Sequence, residues 1–220
     1  MISESHSTDY KAIKIPNYSI YYAHHSDGTA HAGSALIIRS ALDHYALVPY
    51  TTNKIQSIAV QINAFPWPLQ IGAIYSPLRH VITAEEYKNF FLTLDSHFLI
   101  AGDWNAKYTT WGSRLTTPKG RNLLKATHHL NLKYLSTGEP TYWPVDLNKI
   151  PDLLDFAVTK GISDVHSAIA NNFDLSSDHS AILITLSANL ICKTPPPKLF
   201  TAHTNWKDFQ LHTNRDIKLT

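Results

Sequence analysis

The 220-residue sequence contains one cysteine, no long apolar run and almost no net charge. Because Cys192 has no second cysteine to pair with, a disulfide framework and a cysteine-based zinc cluster are excluded, and a reducing compartment fits. A formal net charge of +2 means that any nucleic-acid binding would need a local basic patch. No apolar run is long enough to span a membrane, and residues 1–15 show no secretory signal. We therefore expect a soluble, intracellular protein that does not bind membranes.

Two common hydrolase signatures are also missing. The 13 histidines form no His-Glu-x-x-His zinc motif, and no Gly-x-Ser-x-Gly nucleophile elbow occurs. No repeat of 20–50 residues is visible. What the chain does have is a composition that is 44% hydrophobic and 16% charged, which is sufficient for one large folded domain with a tail.

Short apolar runs separated by turn signals predict many strands and few helices. A capping box at Thr83–Glu86 and Pro118 after Thr117 predict two helix starts. Many strands, few helices and antiparallel hairpins in each half indicate an α/β sandwich of two packed sheets. The predicted strands are Tyr18–His24, Ser34–Arg39, 58–62, Leu69–Tyr75, 97–101, Leu132–Leu135, Leu153–Thr159, Val165–Ala170 and Ser180–Leu186.

Polar residues follow or precede three of these strands. The apolar run 97–101 leads into Gly102-Asp103-Trp104-Asn105, which is either an ordinary turn or a carboxylate and an amide at a sheet edge. Ser176-Ser177-Asp178-His179 precedes the last strand and has the same two readings. Asp155 lies on the face of its strand opposite the apolar face. It is either a surface acid or the partner that fixes the tautomer of His179.

A basic segment without any acid extends from Lys107 to Lys125 and contains two aromatic residues. Basic residues interleaved with aromatics suit a phosphate backbone with bases nearby, whereas the alternative is a solvated loop and helix face. The candidate DNA contacts in this segment are Lys107, Tyr108, Trp111, Arg114 and Arg121.

Five motifs follow one another along the chain: Ser3–His6, Ala73–Pro77, Gly102–Asn105, Pro151–Phe156 and Ser177–His179. Their order resembles that of the endonuclease/exonuclease/phosphatase superfamily. Gly102–Arg114 and Pro118-Lys119-Gly120-Arg121 resemble more closely the endonuclease domain of jockey-like non-LTR retrotransposons. The resemblance covers roughly residues 1–190, and residues 191–220 resemble a Pro-rich linker and tail leading toward a reverse transcriptase.

This resemblance implies a four-layered α/β sandwich that hydrolyses a DNA phosphodiester with Mg²⁺, or with Mn²⁺ as an alternative ion. The implied product has a 3′-hydroxyl that primes reverse transcription, and the implied partners are double-stranded DNA, element RNA and a reverse transcriptase domain, with action in the nucleus. By this resemblance, Glu4 and Asp178 would bind the metal, and Tyr75 would contact the phosphate. Asp103 and Asn105 would activate the attacking water, and Asp155 would pair with the catalytic His179. Tyr142 and Trp143 would contact the DNA.

The sequence departs from the family pattern at its start. In the family, a strand carrying an active-site Asn precedes the metal-binding acid, but Met1 lies three residues before Glu4. Loss of an interior strand would expose two hydrogen-bonding edges, which argues against stable folding and DNA cleavage by the chain as written. An inactive, truncated or nucleic-acid-binding protein and a phosphatase of the same superfamily therefore remain alternatives. Target-site preference and oligomeric state stay open.

Overall fold

The computed structural model describes residues 1–8, 13–146, 148–163, 167–172, 177–194 and 203–216. The helices in these ranges are α1 (Ala84–Phe91), α2 (Pro118–His129) and α3 (Trp206–Asp216), with a 3₁₀ turn at Thr109–Trp111. The strands are β1 (Ile2–Ser3), β2 (Tyr18–Ala23), β3 (Ser34–Arg39), β4 (His44–Ala46), β5 (Tyr50–Thr51), β6 (Gln56–Ile62), β7 (Ala64–Phe65), β8 (Leu69–Tyr75), β9 (Phe98–Asp103), β10 (Lys133–Leu135), β11 (Asp155–Lys160), β12 (Ser167–Asn172), β13 (Ala181–Leu186) and β14 (Asn189–Leu190).

A seven-stranded mixed sheet forms the centre of the molecule. Its strand order is β10-β11-β9-β8-β6-β4, and β5 pairs with β6 beside β4. Strands β8 and β9 are parallel, with Tyr75 opposite Asp103, whereas β9 and β11 are antiparallel, with Asp103 opposite Asp155. This register brings the ends of three strands to one sheet edge. The smaller sheets have the orders β1-β3-β2, β12-β13 and β14-β7.

The side chains of each strand alternate between the two faces of the central sheet, and other elements cover both faces. On one face, Ile74, Ile100 and Phe156 pack with residues of α1 and α2. On the other face, Ile58 and Val60 pack against β2 and β3, and Ala101 and Ala157 pack against β13. These layers confirm the predicted α/β sandwich.

Both central helices begin where the sequence predicts. Thr83 and Glu86 form the reciprocal capping box of α1, and Thr117 accepts the Gly120 N–H ahead of α2. In α1, Tyr87, Phe90 and Phe91 are buried on one side of the helix, as its periodicity indicates.

The strands differ from the predicted ones mainly at their ends and in number. The predicted strand at Leu153 begins at Asp155 instead, because Ser113 Oγ and the Trp104 N–H bind the carbonyls of Leu153 and Leu154. Strands β1, β4, β5, β7 and β14 were not predicted, since two or three residues carry no periodic signal.

The C-terminal region contains one more helix. Residues 191–220 are predicted to be a linker and a tail, and within them α3 is a helix with exposed Trp206, Phe209 and Leu211. The proline-rich stretch at residues 195–198 lies outside the described residues. Within the described part of the chain, no helix has the length and apolar character that crossing a bilayer requires.

Candidate active site

A cleft of about 640 Å³ opens between β1 and β13, above the ends of β9 and β11. Its walls bring together polar residues from four distant parts of the chain. The residues of interest are Glu4, Asp103, Asp155, Asp178 and His179. Four of the five sequence motifs therefore contribute residues to one cavity.

Asp103 ends β9 and is buried, with 4% of its surface exposed. Asn105, at φ 45°, turns back so that its backbone N–H donates to Asp103 Oδ1 (2.8 Å) and its Nδ2 donates to Oδ2 (2.6 Å). Burial, and then the negative charge of Asp155, raise the pKa of Asp103 well above its usual range. A carboxyl group of this kind, fixed beside an amide, is able to accept a proton from a water molecule.

Asp155 begins β11 and binds the ring of His179, whose Nδ1 lies 2.7 Å from Asp155 Oδ2. Burial disfavours a charge on the ring, but the hydrogen bond to Asp155 and the charges of Asp155, Asp103 and Asp178 outweigh it. Together they raise the pKa of His179 to about 9. At neutral pH the imidazole is therefore a cation, and its Nδ1–H donates to the carboxylate.

A buried hydroxyl holds Asp155 in place. Thr141 is fully buried, and its Oγ1 donates to Asp155 Oδ2 at 2.8 Å. The same oxygen accepts the backbone N–H groups of Leu154 and Asp155 at 3.0 and 2.9 Å. Thr141 thus fixes the carboxylate and the entry into β11 together. Thr141 is not predicted as a site residue, because no sequence motif includes it.

Ser3 joins β1 to the central sheet. Its Oγ donates to the Ile74 carbonyl (2.9 Å) and accepts the Asp103 N–H (2.9 Å). Gly102 makes this approach feasible, because a Cβ there would lie 2.1 Å from the Ile74 oxygen and φ is +148°. The next residue, Glu4, is thereby placed at the mouth of the cleft.

Glu4 contacts the phenol of Tyr75, whose OH donates to Glu4 Oε1. Burial, and then this hydrogen bond and the charge of Glu4, raise the pKa of Tyr75, so the phenol stays protonated. The other carboxylate oxygen of Glu4 lies 3.9 Å from His6 Nε2, and the Glu4 side chain is 54% exposed. Glu4 and Asp178 are the two exposed acids of this group, whereas Asp103 is buried.

Lys119 is a buried cation next to the site that sequence analysis did not single out as a site residue. Only 5% of Lys119 is exposed, and its Nζ donates to the carbonyls of Ser76 (3.0 Å) and Pro77 (2.8 Å). Burial lowers the pKa of Lys119 to about 7, against the opposing attraction of Asp103. Lys119 therefore holds the chain that follows Tyr75.

The predicted DNA contacts of the basic segment differ in how exposed they are. The interpretation of Trp111 as a DNA contact is wrong, because the ring is 2% exposed, stacks on Phe156 and donates to the Ala106 carbonyl. Lys107 Nζ is paired with the buried Asp152 carboxylate at 2.8 Å. Tyr108 is half-buried, with its ring 5.4 Å from that of Trp111. Arg114 and Arg121 are exposed.

Tyr142 and Trp143 lie beside the site. The Tyr142 ring is 5.0 Å from that of His179, and Tyr142 is bridged to both Asp152 and His179. Trp143 is 42% exposed, and its Nε1 donates to Ser180 Oγ at 2.8 Å. The two aromatics therefore flank His179. Tyr142 contacts the imidazole ring of His179 directly.

Residues 69–183, just over half of the chain, match the sequence model of the family described as endonuclease-reverse transcriptase. The chain belongs to this family. The matched segment includes Tyr75, Asp103, Asp155 and His179 and excludes Glu4.

Two of the curated relatives of this chain come from Drosophila melanogaster. It is 34% identical over 220 residues to a probable RNA-directed DNA polymerase from transposon X-element, covering 100% of this chain and 24% of that protein. It is 32% identical over 212 residues to the RNA-directed DNA polymerase from mobile element jockey, covering 96% of this chain and 23% of that protein. The chain thus spans about a quarter of the length of these relatives and corresponds to a retrotransposon endonuclease domain.

Solved structures share the fold. The endonuclease domain of TRAS1, a telomere-specific non-LTR retrotransposon, has a TM-score of 0.66 at 22% identity, covering 79% of this chain and 81% of that one. The catalytic domain of Xenopus laevis APE2 has a TM-score of 0.62 at 11% identity, covering 89% and 85%. At these identities the likeness establishes the endonuclease/exonuclease/phosphatase fold.

Proposed function

We propose that this chain is a Mg²⁺-dependent DNA endonuclease that cuts a phosphodiester and leaves a 3′-hydroxyl. The observation that carries the proposal is the cleft in which buried Asp103 adjoins the hydrogen-bonded Asp155–His179 pair, with Glu4 at the mouth. A proton acceptor, an imidazolium and an accessible acid in one cavity match the needs of phosphodiester hydrolysis.

The donors in the cleft fit a divalent cation. Asp103 is buried, and the neighbouring charge of Asp155 disfavours its ionised form, so a cation bound there would stabilise both carboxylates. Mg²⁺ prefers oxygen donors and needs only one or two protein carboxylates, with water and substrate oxygens completing its shell. Glu4 and Asp178 would hold the ion beside Asp103, and Mn²⁺ has the same donor preference. When bound, the ion stabilises the charge that develops on the phosphate.

The residues of the cleft carry out proton transfer and phosphate binding. Asp103 accepts a proton from the attacking water, which Asn105 helps to orient through its fixed amide. The Nε2–H of the His179 imidazolium donates to a non-bridging phosphate oxygen, while Asp155 holds the ring through Nδ1. The protonated phenol of Tyr75 donates to the same phosphate once its bond to Glu4 is exchanged. The water oxygen forms a bond to phosphorus as the bond from phosphorus to O3′ breaks, which leaves a 5′-phosphate. O3′ leaves as an alkoxide and takes up a proton from solvent water to become the hydroxyl.

The proposed substrate is double-stranded DNA, with Arg114 and Arg121 as phosphate contacts and Trp143 beside the scissile position. Both arginines are exposed, and Trp143 adjoins His179 through Ser180. The X-element and jockey relatives are named as RNA-directed DNA polymerases, which supports a 3′-hydroxyl that primes reverse transcription. A reverse transcriptase domain joined through residues 191–220, element RNA as template and action in the nucleus belong to the same proposal.

The test is a nicking assay with the purified chain, supercoiled plasmid and Mg²⁺. We expect open circles, whose nicks DNA polymerase extends without prior phosphatase treatment. Changing Asp103→Ala or His179→Ala should slow nicking by about 10²–10⁴-fold, the usual loss for an acid–base group. His129→Ala, an exposed histidine on α2, is the matched control and should nick at the original rate.

Three outcomes count against the proposal. Nicking that survives both Asp103→Ala and His179→Ala would overturn the assigned roles. Phosphate release from phosphomonoesters without nicking would favour a phosphatase. Salt-sensitive DNA binding without Mg²⁺-dependent cleavage would favour an inactive nucleic-acid-binding protein.

A further inference from the structure

The connection between β2 and β3 brings together a second set of potential metal ligands, apart from the cleft. His25, Asp27 and His31 place one ligand atom each within 4.8 Å of one another. Among the described residues, this is the one group of three or more His, Cys, Asp or Glu side chains that converges so closely. We propose that His25, Asp27 and His31 bind a transition-metal ion of the Zn²⁺ type.

The distances suit a single ion. His25 Nδ1 lies 2.9 Å from Asp27 Oδ1, and His31 Nε2 lies 3.7 Å from Asp27 Oδ2. Ligands about 2.0–2.1 Å from a tetrahedral Zn²⁺ are separated by about 3.3 Å, which falls between these two values. Small side-chain adjustments would therefore place all three donors on one ion, with a fourth position open to water.

The surroundings already orient the ligands. Thr29 Oγ1 donates to Asp27 Oδ1 at 2.8 Å and also contacts His31 Nδ1, which leaves His31 Nε2 directed toward Asp27. A hydrogen bond on the nitrogen that does not bind metal is the usual arrangement around a metal-bound imidazole. The His25 side chain is 6% exposed and so is confined by its neighbours, whereas Asp27 and His31 are open to an entering ion.

The donor chemistry selects the class of ion. Two imidazole nitrogens and one carboxylate suit Zn²⁺ and its neighbours in the first transition row, whereas Mg²⁺ prefers oxygen ligands alone. This site and the cleft should therefore select different metals. The proposal does not depend on nuclease activity in the cleft.

Metal binding here would also stabilise the segment that carries Glu4. The end of the same connection supplies the carbonyls of Ala32 and Gly33, which accept the backbone N–H groups of His6 and Ser5 at 3.0 and 3.1 Å. Glu4 and His6 both have positive φ, 51° and 48°, and so depend on such contacts to keep their backbone conformation. An ion bound by the connection would make this support more rigid.

The experiment is a titration of the purified chain with Co²⁺, whose visible absorption reports nitrogen coordination, in the presence of excess Mg²⁺ to fill the cleft. We expect one equivalent to bind and Zn²⁺ to displace it. His31→Gln, at a half-exposed position, should weaken Co²⁺ binding more than about 100-fold, and Thr29→Ala about 10–100-fold. His128→Gln on α2 removes an exposed histidine elsewhere and should leave binding unchanged, as should Asp103→Asn.

A second readout is independent of absorption. Zn²⁺ should raise the Tm of the original chain, because it binds the folded state, and should raise that of His31→Gln much less. Equal Co²⁺ affinity in the original chain and in His31→Gln, or no visible band at all, would overturn the site. Loss of nicking in Asp103→Asn with Co²⁺ binding intact would show that the two sites are separate.

Discussion

At the scale of single residues, the proposed hydrolysis depends on the positive charge of His179. Its folded pKa is about 9, above the value of about 6.5 expected in the unfolded chain. Its contribution to the free energy of unfolding is therefore fully present below pH 6.5 and is lost as the pH rises through 9. Asp155→Asn removes the main attraction, so the pKa of His179 should fall and this part of the pH dependence should disappear. An NMR titration of the ring checks this, and an unchanged pKa would refute it.

Thr141 gives a second prediction at this scale. Thr141→Val removes the hydroxyl that serves Asp155 and two backbone N–H groups in a fully buried place. Leaving such groups unsatisfied should lower the free energy of unfolding by about 1–3 kcal/mol in a urea titration. Thr141→Ser keeps the hydroxyl and is the matched control. A loss in Thr141→Val that is no larger than the loss in Thr141→Ser would contradict the role of the hydrogen bonds, because Val keeps the methyl group and lacks only the hydroxyl.

At the scale of elements, the closeness of β8, β9 and β1 depends on Gly102. Gly102→Ala would place a Cβ 2.1 Å from the Ile74 carbonyl oxygen at φ +148°. Backbone strain and overpacking each cost about 1–3 kcal/mol, so we expect a loss of about 3 kcal/mol or more by chemical denaturation. Gly138→Ala also has positive φ but has no atom within 4 Å, and should lose only about 1–2 kcal/mol. Similar losses in both variants would contradict the close-approach argument.

The first turn of helix α2 stabilises the fold through Lys119. Lys119→Met would leave the carbonyls of Ser76 and Pro77 without their buried donor, at a cost of about 1–3 kcal/mol in the free energy of unfolding. Lys125→Met changes an exposed lysine of the same helix and should be nearly neutral. Thermal unfolding of the two variants tests this, and equal Tm values would contradict a structural role for Lys119.

At the scale of the whole molecule, the sequence predicts what local patterns encode. The capping box of α1, Pro118 at the start of α2 and the long apolar strands are all present, because each depends on residues close in the chain. Asp103, Asp155 and His179 were found as motifs, but only the register of β8, β9 and β11 brings them to one edge.

What the sequence did not reveal depends on contacts between distant segments. The burial of Trp111 and Lys119 cannot be read from a basic segment whose composition resembles a DNA-binding surface. Thr141 and Ser3 act through single hydroxyls that carry no periodic or spacing signal. The ligands at His25, Asp27 and His31 lie close in sequence, yet their spacing matches no established metal motif, and only the turn between β2 and β3 brings them together.

The central claim is that Glu4 and Asp178 hold a divalent cation in the cleft, beside Asp103 and His179. The most direct measurement is the paramagnetic broadening that substoichiometric Mn²⁺ causes in the NMR spectrum, recorded with Zn²⁺ present to occupy the histidine-containing connection. We expect broadening of the Asn105 side-chain amide and the His179 ring, and its loss in Glu4→Gln with Asp178→Asn. Sharp Asn105 and His179 signals at Mn²⁺ concentrations that support nicking, or broadening that survives the double change, would contradict the account.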